Sequence, residues 1–188
     1  MFNPFAVKVD KLLMIIGIVT FFIGSYISWR FQMIYDGILD VHSAPLISYI
    51  EAFTSNAVNV IILCMSLLIA GKIINPKTRM IDVLNTAFLS RIPIYAVAAL
   101  SSLPVIKEFE HKILNNLSDV QNLQLSTNDI MVSLVFGLVS MVLLVYAIVL
   151  IVNGFKTACN AKKWQHYAGL AVALIIAEII SKQIIYAL

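Results

Sequence analysis

Three ionisable residues lie inside long apolar stretches of this sequence: Arg91, Glu178 and Lys182. Placing such a charge in the membrane interior costs about 2.5–3.5 kcal/mol on insertion scales, so each needs a partner or a function. If helices leave the cytoplasmic face near Val83 and Tyr167, the first two charges lie at similar depths of about 12 Å and about 16 Å. We therefore predict an intramembrane ion pair between Arg91 and Glu178.

Lys182 is a second candidate partner for Glu178, because the two residues share one helix face in the favourable order. It also lies close enough to the outer membrane surface to extend its ammonium group toward water. The three residues form either a proton or substrate site or an ion-paired cluster that fixes helix packing. Packing is favoured, because no further acidic or histidine residue lies near that depth to form a relay.

The composition is typical of a membrane protein. Hydrophobic residues make up 61% of the 188 residues, charged residues make up 12%, and the mean hydropathy is +0.93. Soluble domains are about half apolar and about a quarter charged, whereas a membrane helix needs about 20 mostly apolar residues. We predict an all-α bundle, a single transmembrane domain over residues 1–188, with five spans at Leu12–Trp29, Ala57–Ile74, Val83–Ile106, Ile130–Val152 and Tyr167–Leu188.

Two of these spans carry residues that predict local geometry. Leu46–Phe53 is apolar apart from Glu51, so the second span can begin earlier than its core. Pro93 lacks a backbone N–H and predicts a kink or a partly re-entrant third span. Asn56 and Asn59 fall near a predicted helix end, where they can cap the helix or bond to a neighbouring one.

Lysine and arginine residues are distributed unequally between the two sets of loops. With a cytoplasmic N-terminus, eight lie on the cytoplasmic side and three on the opposite side, where Arg30, Lys107 and Lys112 lie. Positive charge is retained on the cytoplasmic side, so the C-terminus is predicted to lie outside. The eight are Lys8, Lys11, Lys72, Lys77, Arg79, Lys156, Lys162 and Lys163.

An amphipathic stretch follows the third span. In Lys107–Ser118, apolar residues recur at helical spacing with charged and amide residues between them. This pattern favours either a short helix on the membrane surface or a helical extension of the third span.

Motifs for catalysis or cofactor binding are missing from the sequence. It has no glycine-rich phosphate loop, no HExxH, no serine elbow, and no cysteine spacing typical of a metal or redox site. Its basic residues form no stripe that would follow a nucleic-acid backbone. We therefore expect a protein that is not an enzyme, has no cofactor or metal, and does not bind nucleic acid.

Three regions resemble the Yip (Ypt-interacting protein) family of small five-pass membrane proteins. They are Asn3–Phe5, the central Met80–Asn85 with Ser90–Pro93, and Asn153–Ala158. The resemblance implies a cytoplasmic N-terminus, five helices and an outside C-terminus. Eukaryotic members act in vesicle traffic with small GTPases through a long N-terminal region. Because this chain has only a short segment before its first span, it looks more like the bacterial members, and a bacterial inner membrane is expected.

Two functions fit these features. The favoured one is a non-enzymatic protein that binds membrane lipids or other membrane proteins, with a homo-oligomer possible, and affects membrane organisation or trafficking. Its lipid contacts would be basic residues that meet anionic headgroups, unless these residues serve only to set topology. The alternative is a small permease or channel that uses Arg91, Glu178 and Lys182. The candidate lipid contacts are Lys77, Arg79, Lys156, Lys162 and Lys163.

Overall fold

A computed structural model describes residues 3–6, 9–115 and 125–187. A short 3₁₀ turn, Pro4–Ala6, precedes the first helix, and two short strands lie between the first two helices. The elements are α1 (Asp10–Phe31), β1 (Met33–Ile34), β2 (His42–Ser43), α2 (Tyr49–Ile74), α3 (Met80–Ser90), α4 (Ile92–Ser101), α5 (Pro104–Asn115), α6 (Thr127–Cys159) and α7 (Trp164–Tyr186).

The predicted helix bundle is confirmed. Within the described residues, five helical segments are long and apolar enough to cross a membrane, with α3 and α4 together forming the third, and this is compatible with an integral membrane protein. Their outward faces carry exposed isoleucine, leucine and valine side chains, as expected where lipid is the solvent. Leu188, the predicted end of the fifth span, lies outside the described residues.

Capping residues explain why two spans begin earlier than their apolar cores. The Ser48 hydroxyl accepts a hydrogen bond from the Glu51 amide and the Glu51 carboxylate accepts one from the Ser48 amide, so α2 begins at Tyr49. Ser126 and Asp129 form the same reciprocal cap at the start of α6.

The third span is interrupted where the sequence predicts. Helix α3 ends at Ser90 and α4 begins at Ile92, with Arg91 in the turn between them. Pro93 lies in the first turn of α4, where its missing N–H breaks no helical bond of that helix. Because α4 ends at Ser101, the prediction that this span reaches Ile106 was wrong.

The amphipathic stretch forms the separate helix α5, so of the two predicted alternatives the extension of the third span was wrong. Helix α5 packs against α6, and the Lys112 ammonium lies 2.7 Å from the Asp129 carboxylate near the first turn of α6. Lys107 donates a 3.4 Å hydrogen bond to the Phe31 carbonyl. The last residues of the predicted stretch, up to Ser118, lie outside the described residues.

The two ends of the bundle differ in character. Helix α1 contacts α2, α3 and α4, while α2 also packs along α7 and α6 packs along α3 and α4. One end, called here the basic end, holds the start of α1, the segment 75–79 and the segment 160–163. The other, called here the loop end, holds the segment 32–48, helix α5 and the end of α7. The described ends of the chain therefore lie at opposite ends of the bundle.

Candidate functional site

The segment 32–48 between α1 and α2 folds back into the helix bundle. Its two short strands pair antiparallel, with Met33 opposite Ser43 and Ile34 opposite His42. Between them, Tyr35 and Ile38 are at most 1% exposed. We call residues 32–48 the re-entrant loop, because its central residues are as buried as those of the helices.

Arg91 lies beneath this loop and is completely buried. Its Nη1 donates hydrogen bonds to the carbonyl oxygens of Gly37, at 3.0 Å, and Ile38, at 2.6 Å. The guanidinium carbon lies 5.0 Å from the ring centroid of Tyr35 and 5.9 Å from that of Tyr95, which are cation–π distances. Carbonyl dipoles and aromatic faces thus stabilise a cation that pairs with no carboxylate among the described residues.

The predicted ion pair between Arg91 and Glu178 was wrong. Glu178 accepts a 3.1 Å hydrogen bond from the Leu39 amide instead, one residue beyond the carbonyls that bind Arg91. A Cβ added to Gly37 would collide with the Glu178 carboxylate, so the loop backbone fills the space where the two charges would have met. The sequence places both at similar depth, and the structure brings both to the same loop, from opposite sides.

Lys182 contacts Glu178 as predicted, with 3.6 Å between Nζ and Oε1. A closer partner is Asp40 of the re-entrant loop, at 2.7 Å. Although burial raises the pKa of Asp40, the hydrogen bonds from Lys182 and from the Val41 amide outweigh it, and the pKa lies below its usual value. This pair could not be predicted from the sequence, because the two residues lie far apart in the chain and in different elements.

Asp36 completes the contact between the loop and α7. Its carboxylate lies 2.8 Å from His42 Nδ1 and accepts a 2.8 Å hydrogen bond from the Tyr186 hydroxyl. Ligand atoms of Asp36, Asp40 and His42 lie within 4.8 Å of one another, which is compatible with a metal site. Because Lys182 and Tyr186 already bind these carboxylates, we interpret the group as an ion-paired cluster that holds the loop against α7.

Two asparagines of α2 connect the arginine site to three helices. The Asn56 side-chain oxygen accepts a 3.1 Å hydrogen bond from the Tyr95 hydroxyl and lies 3.5 Å from Arg91 Nη2, while its amide donates to Ser25 on α1. Asn59 donates a 2.6 Å hydrogen bond to the Tyr35 carbonyl. The Asn59 oxygen accepts from the Ser181 hydroxyl of α7.

These asparagines do not cap a helix; they bond to neighbouring helices, which is the second of the two predicted roles. Helix α2 begins at Tyr49, so Asn56 and Asn59 lie about two and three turns inside it and are fully buried. A buried amide needs hydrogen-bond partners on both its oxygen and its nitrogen, and both residues have them here. The signal in the sequence was the early apolar stretch that begins at Leu46.

The basic end carries a group of exposed lysines. The side chains of Lys77, Lys156, Lys162 and Lys163 are exposed, and none of the four ammonium groups binds another described residue. Trp164 follows directly and is 73% exposed. We call these four lysines and Trp164 the lysine surface.

Arg79 differs from these lysines, although the sequence predicts the same lipid-binding role for it. Its guanidinium lies 2.6 Å from the Asp82 carboxylate and 2.9 Å from that of Asp10, and these contacts raise the pKa of Arg79. A charge that is already paired has less to gain from an anionic headgroup. We therefore do not count Arg79 in the lysine surface.

Comparisons with known proteins add no relative. No family model, curated protein or solved structure matches the chain.

Proposed function

We propose that this chain is a non-enzymatic integral membrane protein of the Yip-like type, which binds anionic lipids through its basic end and affects membrane organisation or trafficking. The observation that carries the proposal is the lysine surface: four exposed ammonium groups without a carboxylate partner in the described residues, next to an exposed tryptophan. We assign the basic end to the cytoplasmic side of a bacterial inner membrane, in agreement with the excess of positive charge in its loops.

Charge and aromatic character together favour a lipid surface over a soluble partner. Lysine residues near an anionic leaflet contribute about 1 kcal/mol each, and tryptophan prefers the headgroup layer. Ile73, 81% exposed, and Met80, 58% exposed, lie at the same end of the bundle. Ammonium groups above apolar and aromatic side chains are the arrangement expected where headgroups meet acyl chains.

The Yip-like part of this proposal rests on the sequence resemblance. Two of its regions lie together at the basic end, where Asn3 donates a 3.5 Å hydrogen bond to Thr157. Family membership remains part of the proposal.

A permease that uses Arg91 is less well supported. Transport at this residue requires access by water or substrate, but its side chain is completely buried beneath carbonyl groups and two tyrosine rings. Ion flux into proteoliposomes that is present in the wild type and lost in Glu178→Gln would favour the permease over the lipid-binding function.

The lipid proposal is tested by reconstitution in nanodiscs that contain neutral lipid alone or a mixture with phosphatidylglycerol. Native mass spectrometry then measures how far the anionic lipid is enriched on the released protein. We expect enrichment for the wild type, and its loss when Lys77, Lys156, Lys162 and Lys163 are all changed to glutamine, because up to about 4 kcal/mol of attraction is removed.

Arg30→Gln with Lys107→Gln is the matched control, since it removes positive charge from the loop end only. It should retain the enrichment. Reporter fusions at the chain ends of both variants verify that topology is unchanged. Equal enrichment of phosphatidylglycerol in the wild type and the lysine variant would refute the proposed function.

A further inference from the structure

A small, partly open cavity lies at the basic end and is lined by residues other than those of the lysine surface and the arginine site. Its volume is about 10 Å³, enough for about one water-sized sphere. The 3₁₀ turn, α1, α3 and α6 each contribute side chains to its wall. The lining residues are Phe5, Asp10, Leu13, Asp82, Asn85, Gly154 and Thr157.

The cavity wall holds a buried acceptor without a donor. Asn85 is 1% exposed, and its side-chain nitrogen donates a 3.2 Å hydrogen bond to the Asp10 carbonyl. Its Oδ1 is buried and receives no hydrogen bond from a described residue. Such orphaned atoms are rare in native proteins and cost about 1–3 kcal/mol, so Asn85 Oδ1 indicates a missing donor or cation.

A second unsatisfied oxygen lies next to the cavity. Asn3 donates through its side-chain nitrogen to Thr157, which lines the cavity, while the Asn3 Oδ1 is buried and receives no hydrogen bond from the part of the chain that the structure describes. Two amide side chains thus turn their nitrogens toward protein acceptors and leave both oxygens unbound. A group that satisfies both oxygens must therefore carry a positive charge or donate hydrogen bonds.

The charges around the cavity favour a cation over water. Among the described groups at the cavity, the carboxylates of Asp10 and Asp82 share the guanidinium of Arg79, so these three groups together carry one negative charge. Only Asp10 Oδ2 is bound by Arg79, so Oδ1 receives no bond from a described residue. Carboxylate, amide and hydroxyl oxygens form the donor set that hard cations prefer.

We propose that this cavity binds one small monovalent cation of the size of sodium. Asn85 Oδ1 and the Asp10 carboxylate would hold it, with the Thr157 hydroxyl at the same wall. The single net charge indicates a monovalent ion, and the volume indicates a small one. Binding would tie the turn Pro4–Ala6 to α1, α3 and α6, and so fix the start of the chain against the bundle.

The test uses the purified full-length protein in detergent. Its melting temperature is measured in sodium chloride and in choline chloride of equal ionic strength, and ²³Na relaxation reports binding directly. Above the Kd, each tenfold increase in sodium should raise the melting temperature of the wild type by about 3 °C. Asn85→Leu should abolish both the sodium-dependent shift and the ²³Na line broadening.

A second variant and a control keep the test decisive if Asn85→Leu does not fold. Asp10→Asn, at a side chain 43% exposed, removes the unneutralised charge and should also abolish the shift. Asp129→Asn changes a paired carboxylate at the loop end and should retain the sodium-dependent shift of the melting temperature. No sodium dependence in the wild type, a response to potassium or magnesium but not sodium, or a full response in Asp10→Asn would overturn the proposal.

Discussion

Two glycines of α6 allow one substitution to be tested in opposite environments. A Cβ added to Gly154 would lie 2.7 Å from the Thr86 Cβ and closer still to the two other atoms of that side chain. Thr86 cannot easily move away, because it is completely buried and its hydroxyl donates to the Asp82 carbonyl. A Cβ on Gly137, in the same helix, meets no atom of the described residues within 4 Å.

The expected effects therefore differ in sign. Overpacking a close helix contact costs about 1–3 kcal/mol, from which the helix preference of alanine over glycine, about 0.5–1 kcal/mol, is subtracted. Gly154→Ala should lower the free energy of unfolding by about 1–2 kcal/mol. Gly137→Ala keeps only the helix preference and should raise it by about 0.5–1 kcal/mol.

Equilibrium unfolding of the two variants in lipid bicelles measures this difference. Thr86→Ala should partly rescue Gly154→Ala, because it removes two of the three close atoms and leaves the Cβ, whereas it should not alter the effect of Gly137→Ala. Equal stability of the two glycine variants would refute the close packing of α3 on α6 at Gly154.

Two further predictions concern the re-entrant loop. Arg91→Lys keeps the charge but loses the planar guanidinium and its contacts with the tyrosine rings, so we expect the free energy of unfolding to fall by about 2 kcal/mol. Hydrogen exchange of the Leu39 amide should become faster, while exchange at the basic end should not. Asp40 has a lowered pKa, so its contribution to stability is present above the unfolded value of about 4 and is lost as pH falls through the folded value. The melting temperature of the wild type should therefore fall more between about pH 5 and about pH 3 than that of Asp40→Asn. Parallel curves would contradict the pairing of Asp40 with Lys182.

The helices of the described residues were predictable because lipid imposes a strong rule on sequence. Each span must be long and apolar, and proline is tolerated in the first turn of a helix but not in its interior, so a helix boundary beside Pro93 could be expected from residue type. The helix start at Tyr49 depends on the capping pair Ser48 and Glu51. Glu51 lowered the apparent hydropathy there, although its carboxylate completes the cap of the first turn.

The site was less predictable because its main element has no transmembrane signal. The loop between α1 and α2 mixes polar and apolar residues, and nothing in its composition distinguishes a buried loop from an exposed one. The depths estimated for Arg91 and Glu178 are similar, but such estimates consider only the helices and leave out the loop that lies between the two residues. The positions of backbone carbonyl groups cannot be inferred from residue types, and the carbonyls of Gly37 and Ile38 are the groups that bind the arginine.

The use of carbonyls in place of a carboxylate has a physical consequence for the bundle. A carboxylate partner would neutralise Arg91 in any conformation that brought the two charges together, whereas two carbonyls from adjacent residues bind it only when the loop backbone adopts one conformation. The Glu178 carboxylate accepts a hydrogen bond from the amide of the following loop residue, Leu39. The buried cation thus adds a conformation-dependent contact to those that already hold this loop in the bundle, among them the bond from Asn59 to the Tyr35 carbonyl and the pair of Asp40 with Lys182.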